Sequence, residues 1–358
     1  MLKVPLLSLH EKTAAELGEF AGWQTVITFT SVREEHHAVR NKAAVFDISH
    51  MTRTKITGPG ATALLQNLLT VDVEKLKPNR MKYGLLLNES GGIIDDVTVF
   101  KIEADNFFVV SNAVTRQKVL SWLRAHASND VSVEDLTDFS AFFAVQGPEA
   151  HVYVSDLVGD VSGFKWFEGG LRSFNGCWLL VTRSGYTGGD GFEMMVPCGG
   201  MEVFEKIWTR LVEKGVTPAG LACRDVCRIE AGYPLYGQDF DESNDPYEAG
   251  LSWAVKTEKP FFIGKESLAQ RSRPLKTLAM VEMVDPGIPR RGYKIYHENE
   301  EIGLVSSGCF SPTAGKGIAL AHIRPELLTE GREILLDVRG RLRRAVVRTK
   351  PWVSLTRS

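Results

Sequence analysis

Residues 88 to 100 read NESGGIIDDVTVF, and in them two adjacent carboxylates, Asp95 and Asp96, stand at the entrance of a β-branched run. Charge at the mouth of a buried strand is costly unless something meets it. If the strand begins near Ile93, alternation sends the two side chains to opposite faces, so they cannot serve as a paired acid and base on one substrate. One is then structural, and either could cap the turn after Gly91 and Gly92. A third acid, Glu193, sits inside the hydrophobic strand of RSGYTGGDGFEMM, and in GLACRDVCRIEAG the helical spacing puts Arg224 and Arg228 on one face with Asp225 and Glu230 close by. Two readings stay open for these groups: a structural Glu-Arg pair between elements, or a ligand site.

Other groupings offer less. In REEHHAVR, Glu34, Glu35, His36 and His37 are adjacent, but neighbouring histidines point to different sides of a helix, so a solvated face is expected rather than a shared metal. Cys223 and Cys227 share a helix face with no second Cys or His pair beside them, which leaves a zinc site short of ligands and makes them small core residues. The glycines of GYTGGDGFE do not fall as G-x-G-x-x-G, and SPTAGKG has Phe310 and Gly317 where a phosphate loop needs glycine and a hydroxyl. No metal or nucleotide is expected. Five cysteines, an odd number scattered over 358 residues, point to reduced thiols inside a cell. A formal charge of -2 from 42 basic and 44 acidic residues gives no field for nucleic acid or an anionic membrane. With no apolar window of about 18 residues, the chain is expected to be soluble.

The elements that must position these side chains follow from periodicity. RTKITG reads as a strand, GPGATALLQNLL as a helix opened by Pro59, and YGLLLN, IIDDVTVFKI and DNFFVVSN as strands. A helix, AVTRQKVLSWLRAHA, and the strand VSVED complete an α+β module over residues 51 to 136. SAFFAVQGPEAHVYVSDLV repeats the layout strand, Gly-Pro, helix, which hints at internal duplication. RSFNGCWLLVTRSG and GFEMMVP read as strands, and the helix MEVFEKIWTRLVEKG carries an apolar stripe of Val203, Phe204, Ile207, Trp208, Leu211 and Val212. From Arg271, RSRPLKTL looks like a linker, followed by short strands at the spacing of a small β-barrel or sandwich.

Taken in order along nearly the whole chain, GEFAGW, AVRNKAAVFDISHM, NESGGIIDDVTVF, AVQGPEA, SGYTGGDGFE, GLACRDVCRIEAG, LYGQDFDE, LSWAV, SGCFSP and TKPW resemble the aminomethyltransferase, or T-protein, family of the glycine cleavage system. The resemblance implies an α+β, three-domain cloverleaf around a central folate channel with a C-terminal all-β, barrel-like domain. The expected division is a discontinuous first domain (1–50 and 137–270), a second (51–136) and the barrel (271–358). It also implies transfer of a one-carbon unit from the aminomethyl-lipoyl arm of a partner H-protein to tetrahydrofolate, giving methylenetetrahydrofolate, ammonia and the dihydrolipoyl arm. Carried over by position, the catalytic aspartate falls on Asp96, the pterin-gripping glutamate on Glu193 and a folate-contacting arginine on Arg224. Tyr83, Asn112, Tyr186 and Tyr236 match channel positions, and Met51 is expected to pack nearby. Gly189 departs from the usual glutamate, which would loosen the loop leading to Glu193. Folate-dependent demethylases share the fold but lack the full set of blocks. The folate-binding factors of iron-sulphur assembly carry a cysteine that the stretch Pro234 to Asp239 lacks. The family works in the cytoplasm of bacteria or the mitochondrial matrix of eukaryotes.

Overall fold

The computed structural model describes residues 1–198, 200–271 and 274–353. A six-stranded mixed sheet, a five-stranded antiparallel sheet and a closed barrel carry the architecture, with a small three-stranded sheet formed by Leu2–Lys3, Trp23–Thr28 and Glu16–Phe20 beside them. The first sheet runs in the order Gly169–Phe174, Cys177–Thr182, Gly191–Val196, Ala141–Gln146, Ala44–Asp47 and Thr217–Pro218. Ala44–Asp47 comes from the N-terminal segment yet pairs antiparallel with Ala141–Gln146, so this sheet closes only once a strand from each side of the intervening module is present. The second sheet is ordered Arg80–Leu87, Ile93–Glu103, Asn106–Ser111, Thr52–Thr57 and Ser132–Asp135. Six strands between Thr277 and Arg348 close the C-terminal barrel, which removes the unpaired edges an open sheet would leave. Of the linker reading, Ser272 and Arg273 lie outside the described residues.

The repeated strand, Gly-Pro, helix layout is realised twice in the same way. Gly58 (φ 118°) and Gly147 (φ 131°) end the Thr52–Thr57 and Ala141–Gln146 strands, and a Cβ on them would lie 1.9 Å from Asp130 O and 2.4 Å from Lys42 O. Only glycine fits either corner. Their carbonyls accept the amides of Ala61 and Ala150, which open the helices Ala61–Leu68 and Ala150–Val158. The first of these helices therefore starts two residues after Pro59.

Three readings are corrected. RSFNGCWLLVTRSG is not one strand but a hairpin, because Asn175 (φ 50°) and Gly176 (φ 77°) form a two-residue turn between Gly169–Phe174 and Cys177–Thr182. The helix Val32–Asn41 is not a solvated face. Its Glu35 and His36 are buried: Glu35 accepts the amides of Phe29 (2.6 Å), Thr30 (3.1 Å) and Gly220 (2.9 Å), and His36 meets Glu230 at 2.8 Å. The third concerns the thiols, since Cys177 and Cys198 are joined in a disulfide, while Cys223, Cys227 and Cys309 are free and buried.

The stripe on the helix Gly200–Glu213 is core as expected, with Phe204, Ile207, Trp208 and Leu211 buried in the cluster behind the first sheet. Residues 236–268, grouped by sequence with the first domain, bury Tyr236, Phe240, Leu251, Val255 and Phe262 against Leu85, Leu87 and Ile93 of the second sheet. This strap is tied down by Lys259, whose Nζ donates to the carbonyls of Gln66 (2.5 Å), Leu69 (2.6 Å) and Val71 (3.0 Å). The barrel is tied to the helix Leu221–Glu230 in turn. Glu230 accepts from His36 (2.8 Å) and Arg40 (2.7 Å) of the Val32–Asn41 helix and from Ser311 (2.5 Å) at the end of the barrel strand Glu300–Ser311.

Candidate active site

A cavity of about 520 Å³ lies where the two sheets, the Leu221–Glu230 helix and the strap meet. Met51, Tyr83, Asp96, Asn112, Tyr186, Glu193 and Arg224 all line it. Tyr236 does not. Its ring packs edge-on to Phe240 at 5.4 Å and its hydroxyl accepts from Lys118 Nζ at 3.3 Å, so it belongs to the wall behind.

The two aspartates sit where the Ile93–Glu103 strand is irregular. Leu86 pairs with Asp95 but Leu87 pairs with Ile93, so Ile94 is an extra residue in a bulge, which strengthens the local twist. Both carboxylates then reach one donor: Asn112 Nδ2 is 2.8 Å from Asp95 Oδ1 and 2.7 Å from Asp96 Oδ1. Only Asp96 reaches the cavity, as alternation to opposite faces expects, yet a single carboxamide bridges the pair. It also follows that the Asn112 amide is occupied by protein. Asp95 is fully buried, with Asn112 N 3.0 Å and Thr115 Oγ1 2.7 Å from Oδ2, whereas Asp96 lines the cavity and accepts the Tyr83 hydroxyl at 3.0 Å. The turn after Gly91 and Gly92 is capped by neither; Asn88 Oδ1 accepts the amides of Ser90 and Gly92.

Among the described residues no cation lies within ion-pair distance of Asp95 or Asp96. Burial holds both carboxyls above the usual range, and the charge of Asp96 pushes Asp95 up further. Burial and the Asp96 charge also keep the Tyr83 hydroxyl protonated, which fixes it as a donor. The Tyr83 ring stacks on Trp253 at 5.2 Å and 19°, and Trp253 is 62% exposed, so one ring reaches from the cavity to solvent.

Glu193 faces the cavity from the Gly191–Val196 strand, with Oε2 accepting the Ser184 hydroxyl at 2.6 Å. Burial raises its pKa, opposed by the Ser184 bond and the charge of Arg224. The two arginines of the helix separate in role. Arg228 is structural, with Nη1 2.5 Å from Asp239 and Nη2 2.8 Å from Asp225. Arg224 lies 4.5 Å above the Tyr186 ring centroid, and no described carboxylate is within ion-pair distance of it. Glu193 and Arg224 thus share one cavity wall without a direct bond, so they do not form a structural ion pair with each other. Tyr186 is braced by Tyr233 (5.7 Å between centroids) and donates to Pro234 O at 2.5 Å.

Met51 is set by a buried arginine. Arg53 donates to Ser49 O (2.9 Å), Met51 O, Thr137 O (2.6 Å) and Ser140 Oγ (2.8 Å), pinning the turn that carries His50 and Met51. His50 was not singled out from the sequence, yet it lines the cavity, and burial with Arg224 nearby lowers its pKa to about 3, so it is a neutral imidazole. Trp253, Tyr233 and Ser184 were also missed; they lie in a three-residue 3-10 turn, in a loop and just past a strand end, where no periodicity marks them. Gly189 does not line the cavity, and a Cβ there would meet Arg40 Nη1 and Thr187 Oγ1 at an ordinary 3.8 Å.

An enclosed cavity with an aromatic wall, an acid and a cation not paired with each other, and two aspartates bridged by one carboxamide is of the kind in which enzymes hold small molecules. Residues 6–259 match the family model described as the GCVT N-terminal domain, and residues 276–353 match the glycine cleavage T-protein C-terminal barrel domain. The aminomethyltransferase of Geobacillus thermodenitrificans is 40% identical over the whole of both chains, and that of Thermotoga maritima 38% over 98% of each. The crystal structure of glycine cleavage system aminomethyltransferase T from Bartonella henselae superposes with a TM-score of 0.92 at 31% identity, covering 99% of this chain and 98% of that one. The chain belongs to the glycine cleavage T-protein family.

Proposed function

We infer that the protein is the aminomethyltransferase of a glycine cleavage system, with tetrahydrofolate as co-substrate in the cavity and a lipoylated H-protein as the donor. The observation that carries this reading is Asp96: a carboxylate on the cavity wall, met by a tyrosine and an amide but by no described cation, and facing the same space as Glu193 and Arg224. The cavity suits a pterin by its chemistry. The 2-amino and N3 hydrogens of the ring need a carboxylate acceptor, which Glu193 supplies through the lone pairs that Ser184 leaves free, and the flat ring needs apolar and aromatic walls.

In the reaction the carbon–sulfur bond of the aminomethyl-lipoyl arm is replaced by bonds from carbon to the folate nitrogens, and ammonia leaves. The chain supplies orientation and exclusion of water around a centre that gains positive charge. Asp96, in its ionised form, steadies that charge and accepts the proton released as the folate nitrogen attacks, while Tyr83 and Asn112 hold its two oxygens in place. No metal is needed for these steps. The test is Asp96→Asn, assayed with aminomethyl-loaded H-protein and tetrahydrofolate. Turnover is expected to fall by about 10²-fold or more with folate affinity kept, and normal turnover would refute the assignment.

A further inference from the structure

Asp95 and Asp96 present an accounting problem that the reaction itself leaves unsolved. Two carboxylates share one carboxamide, with one Asn112 Nδ2 hydrogen for each. Asp95 has no exposure at all. The charged and titratable groups around the pair bring no compensation: Tyr83 is a neutral donor to Asp96, and Tyr236, behind Asp95, is a neutral phenol. Lys118, which donates to Tyr236, has its ammonium committed to Glu242 at 2.8 Å. Two full charges in this setting would repel without a counter-ion.

The geometry at Thr115 shows where one proton fits. Thr115 Oγ1 lies 2.7 Å from Asp95 Oδ2 and 3.0 Å from Asn112 O, and it owns a single hydrogen. A carbonyl has no hydrogen to give, so the hydroxyl can donate to Asn112 O only if the short contact to Asp95 is made by a hydrogen from Asp95. Asp95 Oδ2 can still accept the Asn112 amide at 3.0 Å through a lone pair. We propose that Asp95 works as a carboxylic acid, donating to Thr115 Oγ1, and that in this form it positions Asp96 through the shared Asn112 carboxamide while leaving Asp96 the single charge of the pair. The proton stays on the more deeply buried partner, and the charge stays where the cavity can use it.

The positioning role rests on Asp96 being the reactive carboxylate, but the protonation state does not, and the experiment separates the two. Wild-type protein carrying ¹³Cγ-labelled aspartate, assigned through its backbone, is titrated without substrate and followed by NMR. Asp95 is expected to keep the carboxylic-acid shift at neutral pH and to move only as pH passes about 8; an ionised shift at neutral pH overturns the proposal. Turnover then tests the role. Wild-type kcat is expected to fall on the alkaline side as Asp95 ionises, and Asp95→Asn is expected to lower kcat by about tenfold, less than Asp96→Asn, and to abolish that fall. Persistence of that fall in Asp95→Asn would overturn the positioning role, and normal turnover by Asp96→Asn would overturn the catalytic assignment alone.

Discussion

Glu193→Gln isolates the pterin contact from the chemistry. Glutamine has the size of glutamate and can keep the Ser184 bond through its carbonyl oxygen, now made at 2.6 Å to Oε2. What changes is the remaining position, where an amide donor replaces an acceptor and confronts the donors of the pterin edge. A hydrogen bond to a charged group contributes about 1.5–3 kcal/mol, so Kd for a stable reduced folate is expected to rise by roughly 10- to 150-fold. Calorimetry measures it directly, with thermal unfolding of both proteins as the control for folding. The pH dependence gives a second reading. Burial raises the Glu193 pKa, and only the ionised form accepts the ligand's hydrogens on both oxygens, so wild-type affinity should strengthen as pH rises through that titration. The glutamine variant should lose this slope. A Kd within about threefold of wild type, at unchanged stability, would refute the reasoning, because a full charge-assisted bond cannot be lost so cheaply.

Glu230 should govern acid stability. His36, Arg40 and Ser311 hold its carboxyl down to about 2 from 4.5, so its contribution is full above 4.5 and is lost as pH falls toward 2. That contribution is about 3 kcal/mol, and denaturant unfolding across this window should show the loss in wild type but not in Glu230→Gln. The disulfide closes a loop with a sequence separation of 21 residues. Cys177→Ser should therefore cost about 3 kcal/mol under oxidising conditions, and thermal melts with a reductant should erase the difference.

Much of the fold is written in local pattern. The alternation of IIDDVTVFKI and the stripe of the Gly200–Glu213 helix each decide a partner surface on their own, because burying one face is what sets their period. The two Gly-Pro corners could be recognised as equivalents for the same reason: each needs a backbone shape that only glycine adopts. Pattern failed where the decisive partner is distant in sequence. Nothing around Glu35 shows that Gly220, far along the chain, will donate to it. Nothing in DD reveals that Asn112 bridges both carboxylates, since a bulge and a neighbouring strand bring it there. Asp96, Glu193 and Arg224 were carried by family resemblance rather than by spacing. Tyr236 shows its limit, since the matched position lies just behind the cavity wall. The Asn175-Gly176 turn was legible in principle, but the hydrophobic run on both sides masked it.

The ammonium of Lys259, seated on three carbonyls at the foot of the strap, has a bearing on how a molecule gets in. Lifting the strap off the second sheet would pull that cation away from the three carbonyls it holds, at the cost of leaving a buried ammonium unsatisfied. The frame is in this sense a fixed doorway. At its threshold stands Trp253, which leans on Tyr83 on one side and on water on the other.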